Sequence, residues 1–480
     1  MFSRRAFLER TIKAALVVPV LLSRAKNAAA TDLPPFPKLL ESEASLLTPM
    51  DPQFALYQPA YNRRTMLQPK MRAVCRTPGA IATMIQWLRW HELPFAVRSG
   101  GHSFEGLSEN DNVVIDVRRL DEIEVDLASQ MVSVGAGASL GAIYKAVAAH
   151  GYALPAGSCV TVGIAGHALG GGCGLLSRKF GLLCDSLMSL ELIDPEGHIL
   201  RAHANENSDL FWASRGGGGG SFGVVTGLRF KIYPLDRLLV FSVHWVVSVG
   251  RALDIVKAWQ AWAPHAAGAI TSELRLSKRH DGKMKLVCEG QSVGSEKQLR
   301  RELKALLDTE APEVRPTLTR MSFLQAVDYF SEGWDYESHY SKDKSDFIFS
   351  PLGDDGLATL LAELQRLPRA VPLTVTFSAF GGRIAALASQ DTAFPYRNAL
   401  YCLHYEAVWE SATITSAMLA QIRIIYDAMR PYVSGAAYVN YCDRDLQNWQ
   451  EAYWGPNLPR LKAIKSRFDP EGVFRHAQSI

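Results

Sequence analysis

The sequence predicts an α+β fold, and the residue patterns of three consecutive stretches support this class. Between about residues 70 and 235, short runs of apolar and β-branched residues alternate with helix-like segments. From about residue 236, long amphipathic helix candidates alternate with strands, which is typical of a sheet with helices on one face. The final stretch is rich in polar and aromatic residues, and we expect the chain there to come back to the domain formed by the first stretch. We therefore place domain boundaries at 45–235, 236–434 and 435–480.

The first stretch predicts short strands separated by two helices and by glycine clusters. Hydrophobic periodicity indicates helices at 78–91 and 139–150. The predicted strands cover 73–76, 95–98, 113–117, 132–134, 188–193, 198–201 and 224–232. The last three suit a small antiparallel sheet. Glycines cluster at 100–106, 157–174 and 216–223, where the backbone must bend or approach a ligand closely.

The second stretch predicts longer elements. We expect helices at 253–263, 296–308, 355–366 and 414–430, and strands at 239–246, 373–380 and 405–409. Period-two alternation along the last strand puts Leu403, Tyr405 and Ala407 on one face, and His404, Glu406 and Val408 on the other. The sequence leaves open which of these faces meets a substrate.

Composition and charge indicate a globular protein that does not bind nucleic acid. The chain has 480 residues, of which 48% are hydrophobic and 21% charged. Residues 1–30 hold six basic residues against one acid, so removing them changes the net charge from +3 to about −2. Nucleic-acid binding needs a dense basic face, and a mildly acidic body gives no reason to expect one.

The N-terminus predicts a twin-arginine signal peptide over residues 1–30. Ser3-Arg4-Arg5-Ala6-Phe7-Leu8 is followed by an apolar run at 14–22 and by Ala28-Ala29-Ala30, which a signal peptidase accepts. The run is too short to span about 30 Å of hydrocarbon, although an uncleaved anchor is the alternative. We expect a periplasmic or secreted protein without stable membrane insertion. Because this route exports folded proteins, often around a cofactor, the leader also favours a cofactor.

The cysteine count is odd for an oxidising compartment. If a cofactor consumes one of the seven, six remain, and their spacing does not reveal any pairing. The spacing of Cys173 and Cys184 matches no tight zinc pattern, so we expect no metal site.

The segment Arg98-Ser99-Gly100-Gly101-His102-Ser103 directly follows a predicted strand. Consecutive Gly and Ser residues free backbone N–H groups to converge on an anion, which predicts a phosphate-binding nest. A plain glycine turn is the alternative for this loop taken alone. No G-x-G-x-x-G fingerprint opens a βαβ unit, so dinucleotide binding by a doubly wound sheet is excluded.

A second glycine-rich segment decides how the first loop is interpreted, because the two patterns occur together. Residues 157–174 read GSCVTVGIAGHALGGGCG, followed by RKFGL at 178–182. Together with the GGHS loop, this closely resembles the berberine bridge enzyme-like branch of the vanillyl-alcohol oxidase flavoproteins. The stretches YVNYCD at 438–443 and YWGPNLPRL at 453–461 resemble that family too. The resemblance implies a two-part PCMH-type FAD-binding domain, a substrate domain whose antiparallel sheet is backed by helices, and FAD as the cofactor.

The resemblance also implies that FAD is attached covalently at two points. His102 matches the histidine that bonds to the flavin 8-methyl carbon, and Cys159 matches the cysteine that bonds to ring carbon 6. Imidazole and thiolate are both good nucleophiles, and a bound flavin holds its electrophilic positions beside them. The chain departs from the family at Val160, where proline is usual, and at Cys173, where an aromatic is common. Neither change removes a nucleophile.

The same resemblance implies further cofactor contacts. Val162 matches a position where a small residue goes with oxidases, and His167 matches a supporting position near the cofactor. Residues 216–223 match a loop that lies against the flavin and adenine, although five successive glycines also fit a flexible loop. The full set of predicted cofactor residues is His102, Cys159, Arg98, Ser99, Gly100, Gly101, Ser103, Val162, Gly163, Gly166, His167, Gly170, Gly223, Val225 and Asn440.

The expected reaction is oxidation of an alcohol or hemiacetal, with hydride transfer to flavin N5 and O₂ reduced to H₂O₂. The resemblance points to Tyr438 as the base, with Tyr441 and Asn440 near the ring. A tyrosine base needs a cationic or hydrogen-bonding environment, for which Arg397 and Arg444 are candidates.

Several alternatives remain open at this level. A mono- or oligosaccharide substrate is the first choice, because Trp and Tyr side chains stack on sugar rings, and an aromatic or natural-product alcohol is the second. A flavin dehydrogenase with another acceptor and a non-catalytic exported binding protein are the alternative functions. Oligomeric state is not readable from the sequence.

Overall fold

The computed structural model describes residues 33–38, 40–331, 338–368 and 371–480. The predicted signal peptide lies outside these residues. The strands are β1 Ala44–Leu47, β2 Met71–Cys75, β3 Phe95–Arg98, β4 Val113–Asp116, β5 Ile123–Asp126, β6 Met131–Gly135, β7 Tyr152–Ala153, β8 Leu187–Ile193, β9 Ile199–His203, β10 Val224–Lys231, β11 Tyr233–Pro234, β12 Arg237–Val247, β13 Ile270–Lys278, β14 Met284–Ser292, β15 Thr317–Ser322, β16 Tyr340–Ile348, β17 Leu373–Ala379 and β18 Tyr401–Trp409.

Two helices of the first part begin directly after capping residues. Thr77 and Ser139 accept hydrogen bonds from the third residue beyond them, which satisfies N–H groups that the first turn leaves free. The α-helices are α1 Leu40–Glu43, α2 Phe54–Tyr57, α3 Pro78–Trp90, α4 Leu140–Ala148, α5 Ile164–Leu169, α6 Ser177–Phe180, α7 Leu183–Ser186, α8 Ser208–Ala213, α9 Val249–Trp262, α10 Glu296–Leu307, α11 Phe323–Ser331, α12 Asp354–Arg366, α13 Thr415–Met429, α14 Trp449–Trp454 and α15 Leu458–Phe468.

The first part of the chain builds two larger sheets. One has the strand order β1-β2-β4-β3, in which β2 and β3 both run parallel to β4. The other has the order β5-β6-β10-β8-β9 and is antiparallel throughout. It contains the small antiparallel sheet that the sequence predicts. The first two glycine clusters lie between the elements of these sheets, so rigid strands and helices hold both loops.

The second part of the chain builds an antiparallel sheet of seven strands in the order β15-β12-β14-β13-β17-β18-β16. Leu274, Phe377 and Leu403 are fully buried on one face, in a core shared with helices α9, α10, α12 and α13. The residues between them face a cavity instead. This confirms an α+β fold with helices on one face of the second sheet.

The end of the chain returns to the first part. Trp454, Leu461 and Phe474 are buried in the same hydrophobic core as the strands and helices of that part. Residues 438–445 run beside β16, since Tyr438 N donates to Ser345 and the Lys342 ammonium contacts Asp443. The C-terminal segment therefore contacts both the core of the first part and the seven-stranded sheet of the second part. Within the described ranges, no helix is both long and apolar enough to cross a membrane.

Candidate active site

One cavity of about 690 Å³ lies between the first part of the chain and the open face of the seven-stranded sheet. This is within the usual range for ligand pockets, roughly 300–1,000 Å³. The 99–103 loop, the 157–174 segment, the 216–223 loop and the 438–442 segment all reach its wall. Four stretches far apart in sequence therefore meet around a single space.

The two glycine loops that the sequence singles out pack directly on each other. A Cβ at Gly100 would lie 2.3 Å from the Gly163 nitrogen, and a Cβ at Gly163 would lie 2.3 Å from the Ser99 hydroxyl. Only glycine permits this approach of backbone to backbone. Thr161 Oγ1 also lies 2.9 Å from His102 Nε2, which joins the two loops at the cavity.

His102 and Cys159 both line the cavity, in surroundings that affect their protonation differently. Burial, with the nearby positive charge of Arg98, lowers the pKa of His102 to about 4, so its imidazole is neutral and nucleophilic at neutral pH. Burial, with the negative charges of Glu406 and Glu273, raises the pKa of the Cys159 thiol to about 11.

The third glycine loop is docked and not free. The backbone N–H groups of Gly216 and Gly218 both donate to Leu169 O at 2.9 Å. A Cβ at Gly216 would lie 2.3 Å from the Phe394 nitrogen, so the loop is held against the second part of the chain as well. Of the two open interpretations, the docked loop is the one observed.

Most of the predicted cofactor residues lie on the cavity wall. They are Ser99, Gly100, Gly101, His102, Ser103, Cys159, Val162, Gly163, Gly166, His167, Gly223, Val225 and Asn440, and both predicted tyrosines join them. His167 Nε2 accepts the Gly157 N–H at 3.0 Å, so His167 supports the backbone that leads to Cys159.

Arg98 and Gly170 do not reach the cavity. The Arg98 guanidinium contacts Glu109 and the carbonyl oxygens of Gln58 and Pro59, so it holds the chain behind the GGHS loop and not a phosphate. A Cβ at Gly170 would lie 1.9 Å from Asn440 Oδ1, so this glycine makes room for the asparagine. Both residues therefore support the cavity wall without facing the cavity.

Tyr438 is held by three hydrogen-bond donors. Its hydroxyl oxygen accepts from Gly172 N at 2.9 Å, Cys173 N at 3.2 Å and Asn440 Nδ2 at 3.0 Å. Burial nevertheless raises its pKa well above 10. The three hydrogen bonds fix this oxygen on the cavity wall and favour its ionised form, against the larger effect of burial, and the role of Tyr438 as the base stays a prediction.

The open face of the seven-stranded sheet carries polar residues that the sequence analysis did not select. Glu273 and Arg275 on β13, Thr376 on β17, and His404 and Glu406 on β18 all line the cavity. The face of β18 that carries His404 and Glu406 is therefore the one directed at the cavity. The sequence feature that could have identified them is the alternation of polar and apolar residues along these adjacent strands.

His404 and Glu406 form a charged group with Asp343. His404 Nε2 lies 2.9 Å from Asp343 Oδ1. Burial opposes the charge on His404, but the Asp343 hydrogen bond and the charges of Asp343 and Glu406 outweigh it and raise the His404 pKa. Burial and the charge of Asp343 also raise the pKa of Glu406. Within the described residues, the Glu406 carboxylate makes no hydrogen bond or ion pair.

Tyr441 stacks on this group. Its ring lies 4.0 Å from the His404 ring, at an interplanar angle of 13°. Burial raises the Tyr441 pKa well above 10. The two arginines predicted as partners of the Tyr438 base lie elsewhere, because Arg397 forms a bidentate pair with Asp185 and Arg444 is exposed. His404, whose pKa is raised, is the titratable group that stacks on Tyr441.

None of the seven cysteines is paired in a disulfide, and all seven lie in the described ranges. Cys173, Cys402 and Cys442 line the cavity together with Cys159. Burial raises the pKa of Cys173 and Cys442 to about 12, so both are neutral thiols. Unlike Cys159, neither lies on the strand-to-helix segment beside His102.

Comparison with known proteins identifies the family. A family model described as FAD binding domain matches residues 69–203, and one described as Berberine and berberine like matches 437–480. The FAD-linked oxidoreductase YgaK of Bacillus subtilis is 32% identical over 91% of this chain and 96% of its own. The monolignol oxidoreductase AtBBE-like 13 of Arabidopsis thaliana is 32% identical over 81% of this chain and 79% of its own. The chain belongs to the berberine bridge enzyme-like family of FAD-dependent oxidoreductases.

Solved structures of this family share the fold. BBE-like 1 of Physcomitrella patens superposes with a TM-score of 0.86 at 28% identity, covering 92% of this chain and 98% of its own. Berberine bridge enzyme from Eschscholzia californica gives 0.84 at 26% identity, covering 92% and 96%. A variant of berberine bridge enzyme has been solved in complex with (S)-reticuline.

The cavity of this family member fits FAD. Gly166 is exposed to the cavity, and a Cβ there would meet no protein atom within 4 Å, so its open face is free for a ligand. The neighbouring glycines, by contrast, touch protein atoms. Both predicted linking nucleophiles lie on the same wall. The residues present therefore suit a flat cofactor that rests on the glycine loops.

Proposed function

We propose that this protein is an oxidase that carries FAD attached through His102 and Cys159 and oxidises an alcohol or a hemiacetal. One observation supports this most strongly: two nucleophiles line one wall of a cavity whose opposite wall carries a carboxylate without a partner. The nucleophiles suit attachment of the cofactor, and the carboxylate suits removal of a proton from the substrate.

When bound, FAD would accept the carbinol hydrogen together with its electron pair and pass two electrons to dioxygen, which gives hydrogen peroxide. The glycine loops would carry the cofactor, and His102 and Cys159 would tether it. The chain itself must orient the substrate and take up the hydroxyl proton.

Glu406 is the group best suited to take that proton. A base must hold a proton more firmly than an ordinary carboxylate does, and burial together with the charge of Asp343 raises the Glu406 pKa above its ordinary value. Tyr438 and Tyr441 have pKa values raised above 10, so both are protonated at neutral pH. Tyr441 makes no hydrogen bond through its hydroxyl among the described residues, so it is free to donate one to the substrate oxygen.

A mono- or oligosaccharide remains our first proposal for the substrate. Thr374, Thr376 and Ser378 present hydroxyl groups along one strand, and Glu273 and Arg275 add charged groups on the next. Successive residues on one face of a strand are about 6.6–6.8 Å apart, and neighbouring strands about 4.8 Å, which suits a substrate dense in hydroxyl groups. An aromatic alcohol is the second candidate, because a relative is named a monolignol oxidoreductase.

Dioxygen is the proposed acceptor because Val162 lines the cavity beside the Cys159 segment. A small side chain at this place leaves room for a diatomic molecule, and packed walls are sensitive to a single methyl group. We further propose that the twin-arginine leader exports the protein to the periplasm or the exterior.

Denaturation in acid tests the proposal. We expect the wild-type polypeptide to precipitate yellow and its denatured mass to exceed that of the chain by one FAD. Cys159→Ala and His102→Ala should each keep one link, and the double variant should release all flavin. A colourless protein would indicate a binding protein instead. Reduced enzyme that stays reduced in air would indicate a dehydrogenase with another acceptor.

A further inference from the structure

The imidazole of His102 is flanked by an aromatic ring from outside the FAD-binding loops. The Tyr61 ring stacks on His102 with centroids 4.6 Å apart and an interplanar angle of 25°. Tyr61 also lines the cavity. It precedes the stretch that matches the FAD binding domain model, 69–203.

Backbone contacts fix the place of Tyr61. Its N–H donates to Gly101 O at 3.1 Å, directly before His102, and its carbonyl accepts the His339 N–H at 3.2 Å. The next residue, Asn62, is fully buried and donates to Phe104 O at 2.7 Å, directly after the GGHS loop. The segment is therefore bound to both sides of His102.

The Tyr61 ring also contacts the ring of His339. The His339 ring meets it edge-on, with centroids 4.6 Å apart at 75°. Ser338 Oγ donates to Ala60 O at 2.6 Å, which ties the start of β16 to the same segment. Tyr61 therefore has ring contacts with both His339 and His102, in addition to the backbone hydrogen bonds that place it.

His102 is thus held at two places. Thr161 contacts the Nε2 edge of the ring, and Tyr61 covers one face. A nucleophile held in one orientation reacts far faster than one that rotates freely, because the orientational entropy is already lost.

We propose that Tyr61 is a positioning residue for flavin attachment, whose ring fixes the His102 imidazole in the orientation that reacts. This inference rests on the proposed covalent flavin. Attachment would replace one C–H bond of the flavin 8-methyl group and the N–H bond of the imidazole by one C–N bond. The two electrons would pass to the flavin ring and from there, with the two protons released, to dioxygen, which would leave as hydrogen peroxide.

The experiment isolates the histidyl link in the Cys159→Ala background, where no second tether exists. Full-length apoprotein from riboflavin-limited cells is mixed with FAD in air, and acid-stable flavin is measured over time. Tyr61→Phe keeps the ring, and Tyr61→Leu removes it. We expect Tyr61→Phe to attach flavin at the parent rate and Tyr61→Leu to be about 2- to 12-fold slower, the factor an aromatic pair contributes.

Attachment is compared at saturating FAD, with the non-covalent affinity of each protein measured separately by fluorescence quenching, so that a change in affinity does not enter the attachment rates. Equal attachment rates for the parent and Tyr61→Leu would overturn the inference, as would slowing in Tyr61→Phe, which would assign the role to the hydroxyl. If Tyr61→Leu does not fold, Tyr61→Met, unbranched and of similar reach, takes its place with the same expectation. No acid-stable flavin even in the parent and wild-type proteins would instead refute the proposed function.

Discussion

The Glu406→Gln variant tests the proposed base directly. Glutamine keeps the size and shape of the side chain but cannot accept a proton in the same way. Burial raises the pKa of Glu406 from the ordinary range of a carboxyl, whereas it raises the pKa of Tyr438 above 10, so this tyrosine is ionised to less than about one part in 10³ at pH 7. We therefore expect flavin reduction to slow about 10²- to 10⁴-fold in Glu406→Gln.

The assay is anaerobic stopped-flow reduction of the bound flavin by substrate. The wild-type rate should rise with pH as Glu406 loses its proton, and the midpoint of this rise should lie above the ordinary pKa of a glutamate, because burial raises its pKa. The exposed Glu410, just beyond the same strand, provides the matched control Glu410→Gln, which should reduce at the wild-type rate. A wild-type rate in Glu406→Gln would refute the assignment. So would a midpoint at pH 10 or above that disappears in Tyr438→Phe or Tyr441→Phe.

Two further predictions follow from the packing. Gly166→Ala should keep or slightly raise the thermal stability of the apoprotein, because Gly166 lies inside a helix, but it should bind FAD more weakly, since its Cβ meets only the ligand space. Gly163→Ala should lower the melting temperature because its Cβ would lie 2.3 Å from the Ser99 hydroxyl. The reverse pattern would contradict the docking of FAD on Gly166. Arg178 is fully buried and donates to four carbonyl groups of the second part of the chain, so Arg178→Gln should lower the free energy of unfolding by at least about 2 kcal/mol, measured by urea titration.

Local sequence signals predicted most of the elements. The strand Phe95–Arg98 and the helix from Pro78 were assigned correctly because capping residues and hydrophobic periods act over a few residues. The β18 strand is longer than predicted and begins at Tyr401, since pairing with β16 and β17 on both sides extends it. Element type was therefore local information, and element length depended on partners.

The candidate site was predicted in part. The loops that carry His102 and Cys159 were found because glycine patterns are visible in one dimension. Glu406 and Asp343 were missed, because their meeting depends on the register of β16 against β18. Tyr61 was missed for a similar reason, since nothing in its neighbours indicates that it stacks on His102.

The sequence alone determined the fold class, the family and the two nucleophilic loops, because backbone freedom and hydrophobic periods are properties of short segments. Only the tertiary structure decided which face of β18 meets the cavity, that Tyr438 is enclosed by three donors, and that Tyr61 reaches His102. These features depend on residues that pack together from distant parts of the chain, such as Tyr438 against Gly172. Such contacts are set by strand register and loop packing, which no single segment encodes.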